Sequence, residues 1–191
     1  MENATVKSQP TETPNRRGLP VWIIAVAFLA LAVFLVFIGL GLKRTQQGPI
    51  VIGQTVPPIS LTTFDGTAYH TTDLKGKVVV LNFWASWCQP CAGEAANMEQ
   101  AWSAYKPGGQ VVFLGVDYVD TEPEARAFLN QYHITYPNGP DLRTVISQLF
   151  RISGVPETYF IDREGRLAYA QIGPFSSVDE ITTIINPLLT R

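Results

Sequence analysis

The sequence predicts an α/β domain with a mixed β-sheet, helices on both faces of that sheet, and a separate apolar segment before it. Nearly continuous apolar runs alternate with stretches of helical pattern, and two turn motifs, Asp65-Gly66 and Arg163-Glu164-Gly165, each separate a pair of strand-like segments. The apolar segment stands apart near the N-terminus. After it, roughly 140 residues remain, which is enough for one domain with a substantial core.

The N-terminal part predicts a membrane anchor. Residues 1–18 are polar and are predicted to form a disordered basic tail. Residues 19–42 carry no charge, and as a helix they could extend ~36 Å, which exceeds a hydrocarbon core of ~30 Å. We therefore predict a transmembrane helix at 19–42, a tether at 43–49 and a folded domain at 50–191. The alternative is a cleaved signal peptide with Ala30-Leu31-Ala32 as its cleavage site, but the apolar run continues well beyond that point.

Charge is distributed unevenly along the chain. Residues 1–44 contain five Lys or Arg and two Glu, a net charge of +3, and residues 45–191 contain nine Lys or Arg and fourteen Asp or Glu, a net charge of −5. An acidic domain behind a basic tail argues against nucleic-acid binding. Three basic residues precede the apolar span and two follow it. This small bias agrees with a cytoplasmic N-terminus and an extracytoplasmic domain.

The predicted strands come in three groups. Segments 59–63 and 68–70 flank Asp65-Gly66 and predict a hairpin. Lys77 to Trp84 and Val111 to Val116 are nearly continuous apolar runs, as expected for strands buried on both faces. A second hairpin is predicted from the segments 158–162 and 166–172.

Four helices are predicted between and after these strands. Their ranges are about 90–105, 123–132, 142–150 and 177–189. The first ends before Pro107-Gly108-Gly109, and the second has Pro123 near its first turn. The last begins with Ser177 and Glu180 as a capping box. The resulting order, β-β-β-α-β-α-α-β-β-α, implies a mixed sheet covered on both faces.

The chain's two cysteines, Cys88 and Cys91, follow a buried strand and lie at the start of a predicted helix. A redox dithiol requires this arrangement, because one thiolate attacks a disulfide and a second thiol, one helical turn on, resolves the mixed disulfide. We expect Cys88 to be the nucleophile, since the helix N-terminus favours a thiolate, and Cys91 to be the more buried resolving thiol. A purely structural disulfide would close a short ring and stabilise little. Two thiolates could hold Cu(I) or Zn(II), but no second cysteine pair completes such a site, and we predict no metal.

Two segments resemble the thioredoxin family. Residues 83–91, Phe-Trp-Ala-Ser-Trp-Cys-Gln-Pro-Cys, are similar to its active-site segment, and residues 154–162, Gly-Val-Pro-Glu-Thr-Tyr-Phe-Ile-Asp, are similar to the loop that carries its cis-proline. The segment from 111 to 147 resembles the extra strand and helix of the membrane-anchored, extracytoplasmic thioredoxins, the TlpA/ResA/CcmG (DsbE) proteins of bacteria. The resemblance covers about residues 50–190. It implies a thioredoxin-like fold with an N-terminal β-hairpin and a central strand–helix insert.

The resemblance also implies site residues. Pro156 would follow a cis peptide bond and lie against the Cys88 sulfur, and Val155 would offer backbone N–H and C=O groups to an extended client segment. The alternative is an ordinary trans turn proline. The other residues expected around the substrate groove are Trp87, Gln89 and Pro90.

Three polar residues near these motifs carry separate expectations. Glu157 follows the proline and is expected either to face the dithiol as a catalytic acid or base, or to be a solvated acid at the groove. Glu94 matches a common glutamate of the family and is expected to cap or form an ion pair rather than to catalyse. Asn82 stands where cytosolic thioredoxin has a buried acid, so another group or water must accept the proton there.

The resemblance implies a membrane-tethered protein-disulfide reductase in an oxidising compartment, with no cofactor besides its own dithiol. Electrons would come from a membrane thiol carrier of the CcdA/DsbD type and pass to a client disulfide such as that of apocytochrome c. A disulfide oxidant or isomerase is a second possibility, since related dithiols span about −270 to −120 mV. A copper chaperone on the same fold would need a Cys-x-x-x-Cys and a distal histidine, and a peroxidase would need a different setting before its cysteine; neither pattern is clear here.

Overall fold

The structure is a computed structural model that describes the backbone of residues 21–45 and 50–190, and the side chains of 22–38 and 50–190. Its first helix, α1, spans Val21–Thr45. The chain divides into two compact units, with the boundary between residues 48 and 49. Among the described residues, no helix combines the length and the apolar character needed to cross a membrane. The predicted tail at 1–18, and part of the predicted anchor and tether, lie outside the described residues.

The second unit opens with the predicted β-hairpin. Strands β1 (Ser60–Thr62) and β2 (Ala68–His70) pair antiparallel, with Leu61 opposite Tyr69. Asp65 Oδ1 accepts a hydrogen bond from Thr67 N at 3.0 Å, which closes the turn. The hairpin packs through Leu61 against one face of the main sheet.

The main sheet has five strands in the order β5-β4-β3-β6-β7. Their bounds are β3 Val78–Trp84, β4 Val111–Asp117, β5 Asn138–Pro140, β6 Glu157–Ile161 and β7 Leu167–Ile172. Strands β3, β4 and β5 run parallel, whereas β6 and β7 are antiparallel to their neighbours, so the predicted mixed sheet is confirmed. β5 was not predicted, because Asn-Gly-Pro has turn composition rather than strand composition.

Helices cover both faces of this sheet. The helices of the second unit are α2 Gln89–Tyr105, α3 Glu122–Gln131, α4 Val145–Phe150 and α5 Val178–Leu189. Odd-numbered residues of β3, such as Leu81, contact α4 and the hairpin, and even-numbered ones, such as Val80, contact α2 and α5. This alternation explains why β3 is apolar throughout: both of its faces are covered.

The prediction of one helix over 142–150 was wrong at its start. Residues 142–144 form a 3₁₀ turn in which Arg143 and Thr144 have φ of 59° and 54°. The α-helix begins only at Val145, because the Asp141 carboxylate accepts the N–H groups of Ile146 (2.9 Å) and Ser147 (2.7 Å). A carboxylate that binds these free N–H groups fixes the point where the helix starts.

Candidate active site

The candidate active site lies where β3 ends and α2 begins. Cys88 is the N-cap residue of α2 and forms a disulfide with Cys91, with Cα atoms 5.2 Å apart. The Cys88 sulfur accepts a hydrogen bond from Cys91 N at 3.1 Å, so this sulfur already faces the free N–H groups of the helix. Such a position favours a thiolate when the disulfide is reduced. Pro90 fits the first turn because a residue there needs no N–H donor.

Both sulfur-bearing residues are nearly enclosed. Cys88 is 4% exposed and Cys91 is 2% exposed, whereas Trp87 is 61% exposed. Gln89 and Pro90 are exposed as well. The predicted groove residues of this segment therefore form the accessible rim beside the Cys88 sulfur.

The second predicted site element lies beside the dithiol. The Val155–Pro156 peptide bond is cis, as the resemblance implied. Val155 packs against the cluster that contains both cysteines. Pro156 is buried at the start of β6, whose pairing with β3 brings this loop next to the segment that ends in Cys88.

The surroundings of Glu157 differ from those expected, which were either a position facing the dithiol or a solvated position at the groove. Its side chain is 2% exposed, so it is not a solvated acid. One carboxylate oxygen accepts from Ser153 N (2.7 Å) and Gly154 N (3.2 Å), and the other accepts from the Tyr159 hydroxyl (2.7 Å). These three donors engage the carboxylate in holding the loop before Pro156. A role of Glu157 toward the dithiol stays a prediction.

Glu94 is the functional candidate that the sequence reasoning undervalued. It lies three residues after Cys91 on α2 and is 2% exposed. Its two carboxylate oxygens accept from Asn82 Nδ2 (3.0 Å) and Phe175 N (2.9 Å). Among the residues that the structure describes, it therefore forms neither the cap nor the ion pair that was expected. The signal was available in the sequence, since positions i and i+3 of a helix share one face, and Cys91 and Glu94 have this spacing.

The pKa of Glu94 is raised to about 7. Burial is the largest cause, and the hydrogen bonds from Phe175 and Asn82 oppose it by favouring the ionised form. A carboxyl with a pKa near neutrality can both accept and return a proton at physiological pH. Glu94 thus supplies, from the helix, a buried acid close to the position where Asn82 lacks one.

Asn82 connects this acid to the rest of the buried polar network. Its Nδ2 also donates to Thr158 Oγ1 at 3.0 Å, and its Oδ1 accepts from the Tyr136 hydroxyl at 3.5 Å. Burial, followed by the charge of Glu94, raises the pKa of Tyr136. This tyrosine therefore stays protonated and can act as a donor.

Trp84, the last residue of β3, has a structural role. Trp84 is 2% exposed, stacks on Phe128 with ring centroids 4.8 Å apart, and donates from Nε1 to Asn138 Oδ1 at 2.8 Å. It is a packing residue. Within the part of the chain that the structure describes, no group of three or more His, Cys, Asp or Glu side chains could hold a metal ion.

The fold and the site together define a thioredoxin-like protein with a redox dithiol. Residues 52–170 match the model of the AhpC/TSA family, and the chain belongs to that family. It is 34% identical over 171 residues to the thiol:disulfide interchange protein HelX of Rhodobacter capsulatus, which covers 85% of this chain and 94% of HelX. It is also 34% identical over 122 residues to the thiol-disulfide oxidoreductase ResA of Bacillus cereus, covering 64% of this chain and 70% of ResA.

A solved structure supports the same conclusion. The putative thiol:disulfide interchange protein DsbE of Chlorobium tepidum superimposes with a TM-score of 0.67 at 26% identity, over 73% of this chain and 99% of that one. The predicted resemblance to the ResA and DsbE group is therefore confirmed. The chain is a thiol–disulfide oxidoreductase of this group.

Proposed function

We propose that this protein is a membrane-tethered, extracytoplasmic reductase of client protein disulfides, for example those of apocytochrome c. The observation that carries the proposal is the nearly enclosed dithiol at the N-terminus of α2, surrounded by an exposed rim and a cis-proline loop. Disulfides form by default outside the cytoplasm, so a client that must keep a reduced cysteine pair needs a dedicated reductant.

The reaction uses two thiol–disulfide exchanges. The Cys88 thiolate attacks one client sulfur, forms a mixed disulfide and releases the other client sulfur as a thiolate, which takes up a proton. Cys91 then gives up its proton and attacks the Cys88 sulfur, which restores the Cys88–Cys91 disulfide and releases the client dithiol. Two electrons pass to the client, and a membrane thiol carrier of the CcdA/DsbD type returns two electrons to the protein.

Glu94 is the proposed acceptor of the Cys91 proton. It is buried on the same helix, one turn after Cys91, and its pKa of about 7 suits proton transfer near neutrality. Pro156 and Val155 align the client segment beside Cys88, since a backbone segment next to the dithiol can pair with an extended peptide.

The proposed membrane anchor is the uncharged segment at 19–42, for which α1 supplies a helical backbone from residue 21 onward. Alkaline extraction of membranes from cells that express the full chain tests it. The full chain should stay in the membrane pellet, and a variant with three Lys in the apolar segment should be released. Release of the unchanged full chain would contradict the proposal that residues 19–42 anchor it in the membrane.

The reduction potential of Cys88–Cys91 tests the direction of the reaction. Equilibration of the full chain with glutathione or dithiothreitol, read by thiol alkylation and mass spectrometry, should give a value near or below about −220 mV, as expected for a reductant. A value near about −120 mV would overturn the reductase proposal and indicate a disulfide donor.

A further inference from the structure

The loop that joins β4 to α3 binds the residues that lead to Cys88 at three points. The hydrogen bonds run from Tyr118 N to Trp84 O (2.8 Å), from Ser86 N to Asp120 Oδ2 (2.6 Å) and from Trp87 Nε1 to Val119 O (3.1 Å). Two of these are made by backbone atoms of the loop. The third depends on the side chain of Asp120, and it holds the residue two positions before the reactive sulfur.

Asp120 can fill this role best as a carboxylate. Its Oδ2 accepts from Ser86 N, and its Oδ1 accepts from Thr121 N at 2.9 Å. Both oxygens therefore face N–H donors, and each acts as an acceptor. The sequence alone indicated only an acidic residue before a helix, and the bond to Ser86 spans 34 positions.

Asp117 lies beside this carboxylate and is 2% exposed. Among the described residues its Oδ1 has no hydrogen-bond partner. Asp117 and Asp120 lie three positions apart where β4 leads into this loop, and a hydrogen bond with the Asp120 side chain is among the causes that raise the pKa of Asp117. Burial first, and then the charge of Asp120, raise the pKa of Asp117 to about 8. At neutral pH, Asp117 is therefore mainly protonated and can donate to Asp120.

We propose that Asp117 and Asp120 form a carboxyl pair with one shared proton, and that this pair positions Ser86 and so the Cys88 sulfur for attack. Both are positioning residues, because neither touches the reacting sulfurs. With the proton in place, the pair has one negative charge, and Asp120 keeps its hold on Ser86. When the proton is lost, two adjacent carboxylates repel, and the loop loosens its contact with the segment before Cys88.

The surrounding elements contribute further titratable groups. These are Glu122 and Glu124 in the first turn of α3, Glu94 and the two cysteines on α2, and Asp141 after β5, whose carboxylate is bound by the N–H groups at the start of α4. The Cys88 thiol changes its own reactivity with pH, so the thiolate fraction must be measured separately. The contribution of the carboxyl pair is obtained by comparing the pH dependence of the oxidation rate in wild type with that in a variant that cannot lose the shared proton.

The test measures how fast oxidised glutathione oxidises the reduced full chain, between pH 5 and 9.5. Alkylation of Cys88 by iodoacetamide over the same range gives its thiolate fraction, and the oxidation rate is divided by that fraction. The variants are Asp117→Asn, which is uncharged but retains an N–H donor, and Asp117→Ala, which has none. Asp73→Asn is the matched control, because it removes an exposed acid before β3, at the end of that strand away from Cys88.

For wild type and Asp73→Asn, the rate per thiolate should fall about tenfold above pH 8, the size expected when a hydrogen bond that positions a reacting atom is lost. Asp117→Asn should match wild type at pH 6.5 and show no such fall. Asp117→Ala should be about tenfold slower throughout. If the rate per thiolate of Asp117→Asn falls above pH 8 as it does for wild type, the proposal is wrong. This comparison of Asp117→Asn with wild type tests the proposal even if Asp117→Ala does not fold. A folded Asp117→Ala with the wild-type rate would also overturn it.

Discussion

Glu94→Gln should change the pH dependence of folding stability in a predictable direction. The folded-state pKa of Glu94 is about 7, against 4.5 for an unperturbed glutamate. Between these values the folded protein keeps a proton that the unfolded chain releases. The stabilisation from this proton is therefore fully present below pH 4.5 and is lost as pH rises through 7. At 1.36 kcal/mol per pH unit, the loss amounts to about 3 kcal/mol.

Glu94→Gln should not lose stability in this way as the pH rises. Instead, it should be destabilised by the same amount at every pH. Both oxygens of Glu94 accept from donors, Asn82 Nδ2 and Phe175 N. The amide of a glutamine can accept only with its oxygen, so one of these donors loses its acceptor, at a cost of about 1–2 kcal/mol at every pH. Glu94→Gln should thus be less stable than wild type at pH 4.5 and more stable at pH 8, so the two stability curves cross.

Urea unfolding of the oxidised full chain in mild detergent, followed by tryptophan fluorescence from pH 4.5 to 8, measures both curves. Glu164→Gln is the control, because Glu164 is an exposed glutamate in the turn between β6 and β7 and its replacement should leave the curve unchanged. Asp117 also titrates in this range, but it is present in every variant and cancels in the difference. If wild type and Glu94→Gln differ by a constant amount across the whole pH range, the reasoning about Glu94 is refuted.

Three further predictions follow from the site and its supports. Cys91→Ser should accumulate a mixed disulfide between Cys88 and a client or glutathione, visible by mass spectrometry without reductant, and its absence would argue against Cys88 as nucleophile. Gly115→Ala should lower the free energy of unfolding by about 3 kcal/mol or more, because a Cβ there would overlap the Asn138 side chain and lie 2.9 Å from the Trp84 indole nitrogen. A change below about 1 kcal/mol in urea unfolding would contradict this prediction. Glu157→Ala should cost about 2 kcal/mol or more, because two loop N–H groups and a tyrosine hydroxyl lose their buried acceptor, and a wild-type urea midpoint would count against it.

The order of the main elements was predictable because each has a local cause. β3 is apolar at nearly every position, the second hairpin has a Gly-containing turn, and Ser177 accepts from Glu180 N at 3.4 Å as the N-cap of α5. β5 and the start of α4 were not predictable in this way. Asn138–Pro140 becomes a strand only because β4 lies beside it, and Asp141 delays α4 through a contact that the helical pattern does not reveal.

The dithiol could be predicted because its chemistry depends on residue type and short spacing, and the cis-proline because residues 154–162 resemble the thioredoxin-family loop that carries one. The roles of the acids around them could not be predicted in the same way. An Asp or Glu in the sequence does not show whether its carboxylate will be solvated, will cap a helix or will be buried. Glu157 holds a loop, Glu94 binds an asparagine and a distant backbone N–H, and Asp120 binds Ser86. Each of these roles depends on a partner that the tertiary fold supplies.

These acids also explain how a single fold can separate two tasks at one site. The segment before Cys88 is bound by the β4–α3 loop, while Glu94, the proposed acceptor of the Cys91 proton, lies one turn after Cys91 on α2. In the two proposals, reactivity of the nucleophile and proton removal from the resolving thiol depend on different carboxyls with different surroundings. A substitution at Asp117 should alter the first exchange and a substitution at Glu94 the second. If both changed the rate of mixed-disulfide formation to the same extent and with the same pH dependence, the two carboxyls would act as one network and this separation would not hold.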